Sequence, residues 1–314
     1  MGNMDFYFGQ WTNEKIKAAT KETQENATIY FDMRPFYKNT QIELENLNKC
    51  LFKERPDLIL QVEAANNNDL LFLSQLRNIK KLYFANYESL AEIKEIAHLT
   101  FLKIYNVNTK TLDIGFLEGL QNLNTLYITG KIKNIEMIGK CTNLETLYLS
   151  TTINNYDFMR TLDKIKVINI DSCNASNDLG LMNKLTLEEL SLTQISKLEN
   201  ICTLKNFGTL KKLKLSASKL KKLPEMSGLL DLQELELNLM KSLENPEMIS
   251  TLPSLKKLKL GEINVKLNAE QFYFLTEMKS LREIDFRFMD FNKKRIEKLN
   301  KWFQENGKEN MVKK

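Results

Sequence analysis

Histidine is nearly absent: His98 is the one imidazole in 314 residues. A site needing several histidine ligands is therefore excluded, and any nucleophile and base pair has a single residue to draw on. Glycine is also sparse, with eleven residues scattered singly, so no glycine-rich loop can cradle a phosphate. The four cysteines, Cys50, Cys141, Cys173 and Cys202, contain no C-x-x-C pair and no terminal cluster. That pattern reads as reduced, mostly buried thiols of a cytoplasmic protein. No apolar run approaches the roughly 18 residues of a membrane span, and Met1 to Lys15 hold no continuous apolar core of a secretory signal. A dominant charge sign is missing too, since 45 basic and 40 acidic residues leave only +5. Beyond Asn292 eight Lys or Arg stand against three Glu, so the body is near neutral, unlike the surface of a dedicated nucleic-acid binder.

What the sequence does have is one phrase, L-x-x-L-x-L, written again and again. Its three apolar anchors fall at Ile79/Leu82/Phe84, Leu99/Leu102/Ile104, Leu123/Leu126/Ile128, Leu144/Leu147/Leu149 and Ile165/Ile168/Ile170. They continue at Leu187/Leu190/Leu192, Leu210/Leu213/Leu215, Leu232/Leu235/Leu237, Leu255/Leu258/Leu260 and Leu281/Ile284/Phe286. Successive middle anchors are 20, 24, 21, 21, 22, 23, 22, 23 and 26 residues apart. The end of each phrase alternates with period two, which makes a strand with its leucines on one face and its x residues on the other. One coil cannot hide its own leucines; stacked coils bury them together and pair their strands in parallel.

From Ile79 to about Arg287 the chain resembles bacterial leucine-rich-repeat proteins with internalin-like repeats of about 22 residues. The resemblance implies an α/β solenoid, a leucine-rich-repeat horseshoe with a parallel concave sheet, an N-terminal α/β cap and a C-terminal helical cap. One departure stands out. The asparagine expected three residues after the last anchor is replaced by Thr152, Cys173, Ile195, Ser218 and Met240, so the turns must satisfy their backbone differently.

The expected organisation is an N-terminal cap over 1–68, a solenoid of about ten repeats over 69–291 and a C-terminal helix with a loose basic tail over 292–314. In the first segment a helix runs from the capping Thr12 to about Glu25, followed by a strand from Thr28 to Met33 stopped before Pro35. A second helix spans about Gln41 to Glu54, with Ile42, Leu44, Leu47, Cys50 and Leu51 at helical spacing. Leu58, Leu60 and Val62 alternate as a degenerate first coil, Leu60 standing 22 residues before Leu82. Phe6, Tyr7, Phe8 and Trp11 are aromatics that could face solvent as a second contact surface. At the far end, Asn292 to Glu305 forms an amphipathic helix with Ile296, Leu299, Trp302 and Phe303 on one side and lysines on the other, covering the last coil.

The x residues, read by row, give two different halves. Toward the C-terminus charges alternate from strand to strand: Glu189, Lys212, Glu234, Lys257, Glu283 in one row and Lys214, Glu236, Lys259, Asp285 in the next. Neighbouring strands lie about 4.8 Å apart, so this is a self-neutralised lattice, and its lysines are poor phosphate ligands. Toward the N-terminus the rows present Tyr83, Phe101, Tyr105, Tyr127 and Tyr148 among small polar residues. Rings on a rigid sheet are the usual anchors of protein interfaces. Asn169 continues this face, and Asp171, Glu188 and Glu189 form an acidic border suited to a partner with basic residues.

The expectation is a non-catalytic module that binds a protein partner through Tyr83, Phe101, Tyr105, Tyr127, Tyr148, Asn169, Asp171 and Glu189. No catalytic residue, metal site, cofactor or small-molecule substrate is expected, and nucleic acid is disfavoured. The resemblance to stand-alone bacterial repeat proteins implies a sharper version, an immunity protein that neutralises a toxin or effector by occluding it. The alternative is an intracellular scaffold or adaptor with several weaker partners.

Overall fold

The computed structural model describes residues 10–34, 40–107, 110–172, 179–184, 186–195, 197–286 and 293–313. The chain forms two compact units, Met1–Leu147 and Tyr148–Lys314. In both, the physical driver is the same: the repeat anchors are stripped of solvent, none more than 2% exposed, while the x residues between them, the buried Asp285 apart, stay partly open. At about 2 kcal/mol for each buried Leu or Ile, this stack is the dominant favourable term in each unit.

The first unit begins with helix α1 (Asn13–Glu22), whose N-terminus is capped by Thr12 Oγ1 accepting from the Lys15 N–H at 3.2 Å. Strand β1 is Thr28–Asp32, and α2 is Gln41–Glu54, capped by Thr40. Leu44, Leu47, Leu51 and Phe52 are buried, but Ile42 is 71% exposed and Cys50 is also exposed. The apolar stripe of α2 is thus narrower than its spacing predicts, with Phe52 completing it. Strand β2 (Ile59–Glu63) and the short α3 (Asn67–Phe72), closed by a capping box between Asn66 and Asp69, lead to the repeats. Strands β3 (Lys81–Ala85), β4 (Phe101–Asn106) and β6 (Thr125–Gly130) follow. All pair in parallel with their anchors aligned, Ile29↔Leu60↔Leu82↔Leu102↔Leu126. The sheet therefore starts two strands before the first repeated phrase. On the returning side β5 (Leu112–Asp113) pairs with β7 (Ile132–Lys133), and short 3-10 turns at Ala91–Glu95, Gly115–Gly119 and Ile135–Lys140 close the coils. Trp11 is 5% exposed with the Lys15 ammonium over its ring, so it is core and not surface. Phe6, Tyr7 and Phe8 lie outside the described residues.

The division between units falls inside β8 (Thr146–Ser150). The second unit contains β9 (Val167–Asp171), β10 (Glu189–Thr193), β11 (Lys212–Ser216), β12 (Glu234–Asn238), β13 (Lys257–Gly261) and β14 (Glu283–Asp285). They too run parallel in one register, Ile168↔Leu190↔Leu213↔Leu235↔Leu258↔Ile284. Helix α4 (Lys293–Glu305) follows; its expected start at Asn292 lies outside the described residues. Phe303 packs 6.3 Å from the Phe286 ring, and Trp302 meets Tyr273 edge-on at 5.3 Å.

Arg295 of α4 is buried, 5% exposed, its guanidinium donating to the carbonyls of Asn264 at 3.0 Å and Leu267 at 2.5 Å. One expectation at this end needs correction: residues 307–313 are not a loose tail. Val312 bridges Ile284 in parallel, and the Lys313 N–H donates to the Ile284 carbonyl at 2.9 Å. The tail, and not the helix alone, covers the backbone of the last strand.

Two features recur where the coils turn. Two residues past the last anchor, Asn86, Ser172, Gln194, Leu239 and Glu262 adopt left-handed backbone, φ 45 to 59°, and Gly130 has φ 120°. At Gly130 a Cβ would sit 2.0 Å from the Asn106 carbonyl, so only glycine fits. One residue before the first anchor, a side chain bonds back to the preceding coil. Asn122 and Asn143 donate to the carbonyls of Ala97 and Gln121 at 2.7 Å, Thr186 to that of Ile165 at 2.7 Å and Thr209 to that of Leu187 at 2.8 Å. These ladders give each of those carbonyls a side-chain donor from the next coil and tie neighbouring coils together.

Candidate functional site

His98 belongs to that same ladder. Its Nε2 lies 3.2 Å from the Leu76 carbonyl, and its Nδ1 is approached by Arg77 at 3.5 Å. The network fits a neutral ring that donates from Nε2 and accepts at Nδ1. Burial, then Lys80 and Arg77, push its pKa below the ordinary value. The ring therefore holds a coil in place with both nitrogens engaged. Cys141 is buried and its thiol is raised by burial to about 12, which makes it unreactive, whereas Cys50 and Cys202 are exposed. The expectation of mostly buried thiols fails for these two because Cys50 lies on the solvent side of α2 and Cys202 opens the 3-10 turn Cys202–Asn206 facing outward; Cys173 lies outside the described residues. No group of three His, Cys, Asp or Glu able to hold a metal occurs among the described residues.

The open strand face of the first unit brings together Tyr83, Phe101, Tyr105 and Tyr127. The register sets Tyr83 and Tyr127 on either side of Lys103, with Phe101 and Tyr105 two residues before and after that lysine on β4. The Phe101 and Tyr127 rings stand 5.5 Å apart, tilted by 40°, and the Lys103 ammonium lies 4.6 Å from the Tyr83 ring. Tyr105 is 41% exposed. Burial, then Tyr105 and Glu63, raise the Tyr83 hydroxyl above its usual pKa, so it stays a protonated donor at neutral pH. Ile59, Lys81, Phe101, Lys103, Thr125 and Tyr127 line a hollow of about 450 Å³ on this face.

At the strand ends the same face carries Asp32 and Glu63, and Tyr87 follows just beyond β3. Burial alone would raise the Asp32 carboxyl, but hydrogen bonds from Arg34 and Tyr30 outweigh it and hold the group below its ordinary value. Glu63, opposite Asp32 in the register, is pushed up by burial. Tyr87 closes the edge by accepting from the Ala64 N–H at 2.6 Å and donating to the Val62 carbonyl at 3.0 Å.

The second unit carries Tyr148, Asn169, Asp171 and Glu189. Tyr148 is 37% exposed. Asp171 accepts from the Thr193 hydroxyl at 2.7 Å, Glu189 pairs with Lys212 at 2.8 Å and Glu188 with Lys211 at 2.9 Å. The acidic border read from the sequence is thus already engaged. The alternating charges do form the expected lattice: Lys257 reaches Glu234 at 3.1 Å, while Lys214 and Lys259 share Glu236 at 3.2 and 3.3 Å. Burial would raise the Glu236 carboxyl, yet its two lysines prevail and keep it below the usual range.

Sequence reasoning named the rings and missed the residues between them. Ile59, Lys81 and Lys103 build the hollow as much as the aromatics do. Their signal was their place in the rows, strand neighbours of Phe101 and Tyr127, which only the pairing of β2 with β3 makes into a cavity wall.

Parallel strands in anchor register, one to a coil and returned by 3-10 turns, define the leucine-rich-repeat fold, an α/β solenoid. Among solved structures the chain is similar to an internalin (inlF) from Listeria monocytogenes str. 4b F2365, with a TM-score of 0.58 over 87% of this chain and 88% of that one at 16% identity. A second similar structure is internalin C2 (inlC2) from the same strain, with a TM-score of 0.48 over 66% of this chain and 87% of that one at 17% identity. At such identities the likeness to the first shows the fold and nothing finer. No family model matches the chain, and no curated protein matches it.

Proposed function

We propose that this chain is a non-catalytic protein-interaction module that binds a protein partner on its strand-bearing face. The observation that carries the reading is the open hollow of the first unit, where the paired Phe101 and Tyr127 rings stand on rigid strands beside the exposed Tyr105. Rings fixed by a sheet lose little freedom on binding and concentrate binding energy. Tyr83 belongs to this contact, and Tyr148, Asn169, Asp171 and Glu189 of the second unit are proposed as contacts of their own. The closed ion-pair lattice argues against nucleic acid, because phosphate binding needs unmatched positive charge. Exposed thiols at Cys50 and Cys202 fit a reducing, cytoplasmic setting. The narrower version, an immunity protein that occludes a toxin or effector, rests on the resemblance to stand-alone bacterial repeat proteins.

The test is affinity capture from the source organism with wild type, a Phe101→Ala/Tyr105→Ala/Tyr127→Ala variant and a separate Tyr148→Ala/Asn169→Ala variant, each checked for fold by circular dichroism. One stoichiometric partner lost from the first variant supports the reading, and its identity decides between a toxin inhibitor and a scaffold. A partner retained by both variants contradicts it.

A further inference from the structure

The hollow of the first unit differs from the face of the second in one electrostatic respect. In the second unit Lys212, Lys214, Lys257 and Lys259 all reach a glutamate within 3.3 Å. In the hollow, Lys81 donates to the neutral Asn26 side chain at 2.7 Å and Lys103 lies over the Tyr83 ring. Neither ammonium has a carboxylate within ion-pair distance among the described residues. Of the two acids this face carries at its strand ends, Asp32 is paired with Arg34 at 2.6 Å, and Glu63 sits four residues along β2 from Ile59, about 13 Å away at the strand rise. Two unmatched positive charges therefore flank an apolar floor of Ile59, Phe101 and Tyr127.

We propose that the partner segment seated here is acidic and apolar: a large apolar or aromatic side chain on the Ile59, Phe101 and Tyr127 floor, with an adjacent Asp or Glu reaching Lys81 and Lys103. The inference rests on the protein-binding reading above and reverses the sign of the partner that the sequence alone implied. The reversal has a physical cause. The acidic border that would have drawn a basic partner is engaged by Lys211, Lys212 and Thr193, whereas among the described residues no carboxylate pairs with the lysines of the hollow. A carboxylate arriving in a part-desolvated hollow gains from both ammonium groups and fixes the register of the segment that carries it. Single-stranded nucleic acid could also offer anions and stacking bases, but tracking a phosphate backbone takes a continuous basic groove, and two lysines do not make one.

The experiment pans a display library of short random peptides on wild type, on Lys81→Gln/Lys103→Gln and on Phe101→Ala/Tyr127→Ala, with thermal unfolding to confirm that each variant is folded. Wild type is expected to enrich sequences with Asp or Glu beside Phe, Trp or Leu. A synthetic peptide from that pool should bind the lysine variant about tenfold more weakly, with a shallower salt dependence. Enriched peptides that carry Lys or Arg, or that bind the lysine variant equally well, overturn the charge assignment; if they still require Phe101 and Tyr127, the protein-binding reading survives. Peptides indifferent to both variants, or no enrichment on wild type, overturn both. Binding of a single-stranded oligonucleotide in preference to the peptides, with a steep salt dependence lost in the lysine variant, overturns the peptide proposal in favour of nucleic acid.

Discussion

Arg55 shows how much one side chain can organise in the first unit. Its guanidinium donates to the carbonyls of Thr20 and Thr23 at 3.0 Å and of Gln24 at 3.2 Å, and grips both oxygens of Asp57 at 2.8 Å. It thereby serves the carbonyls at the C-terminal end of α1, while Asp57 accepts the Asn26 N–H at 3.1 Å. Arg55→Ala should lower stability by about 2 kcal/mol, since those carbonyls and a carboxylate lose a charged donor together. Arg55→Lys should recover little, because an ammonium cannot reproduce the fork. The pair also sets an acid limb. Its hydrogen bonds to Arg55 hold Asp57 at about 2 in the folded chain, below the roughly 3.9 of an unfolded aspartate. A depressed folded value means the contribution is complete above about pH 5 and fades as pH falls toward 2. Thermal midpoints of wild type and Arg55→Ala measured from pH 7 to pH 2 should therefore converge on the acid side.

At the scale of elements, the C-terminal tail makes the clearest prediction. Lys308 bonds to the Thr276 carbonyl, Val312 bridges Ile284, and Lys313 donates to the same strand. Ending the chain after Asn306 should cost about 2 to 3 kcal/mol, about 1 for each lost hydrogen bond, and leave the outer backbone of β14 open to another chain. Light scattering should then report concentration-dependent association, together with a lower melting temperature; a monomer of unchanged stability would refute the capping role. Nothing in the sequence announced this element, because Val312 sits in a polar stretch and its pairing depends only on where the chain returns. Helix α2 was legible in its extent, since Leu44, Leu47 and Leu51 repeat at helical spacing, though Ile42 and Cys50 of the same pattern face solvent. The strands were equally legible, because alternating leucines permit one face only. Trp11 misled, and the burial of Arg295 could not be read, for a shared reason: each depends on groups elsewhere in the chain, Lys15 over the indole and the carbonyls of Asn264 and Leu267 around the guanidinium. Within the candidate site the rings could be read by row. The unmatched state of Lys81 and Lys103 could not, since it depends on which carboxylates come within reach.

Across the whole molecule, one repeated phrase supplies the same buried stack to both units and leaves the exposed x residues free to differ. In the second unit they close on one another as ion pairs worth about 0 to 1 kcal/mol each. In the first they leave aromatic floor and unmatched charge in one open hollow. That contrast is the basis for placing the main contact on the first unit. The most direct measurement is calorimetric titration of the captured partner against wild type, Phe101→Ala/Tyr127→Ala and the lattice control Glu234→Gln/Lys257→Gln. Loss of the two rings should weaken binding about 30-fold, or about 2 kcal/mol, while the control stays within about threefold of wild type. A dissociation constant unchanged by removing Phe101 and Tyr127 would contradict the account.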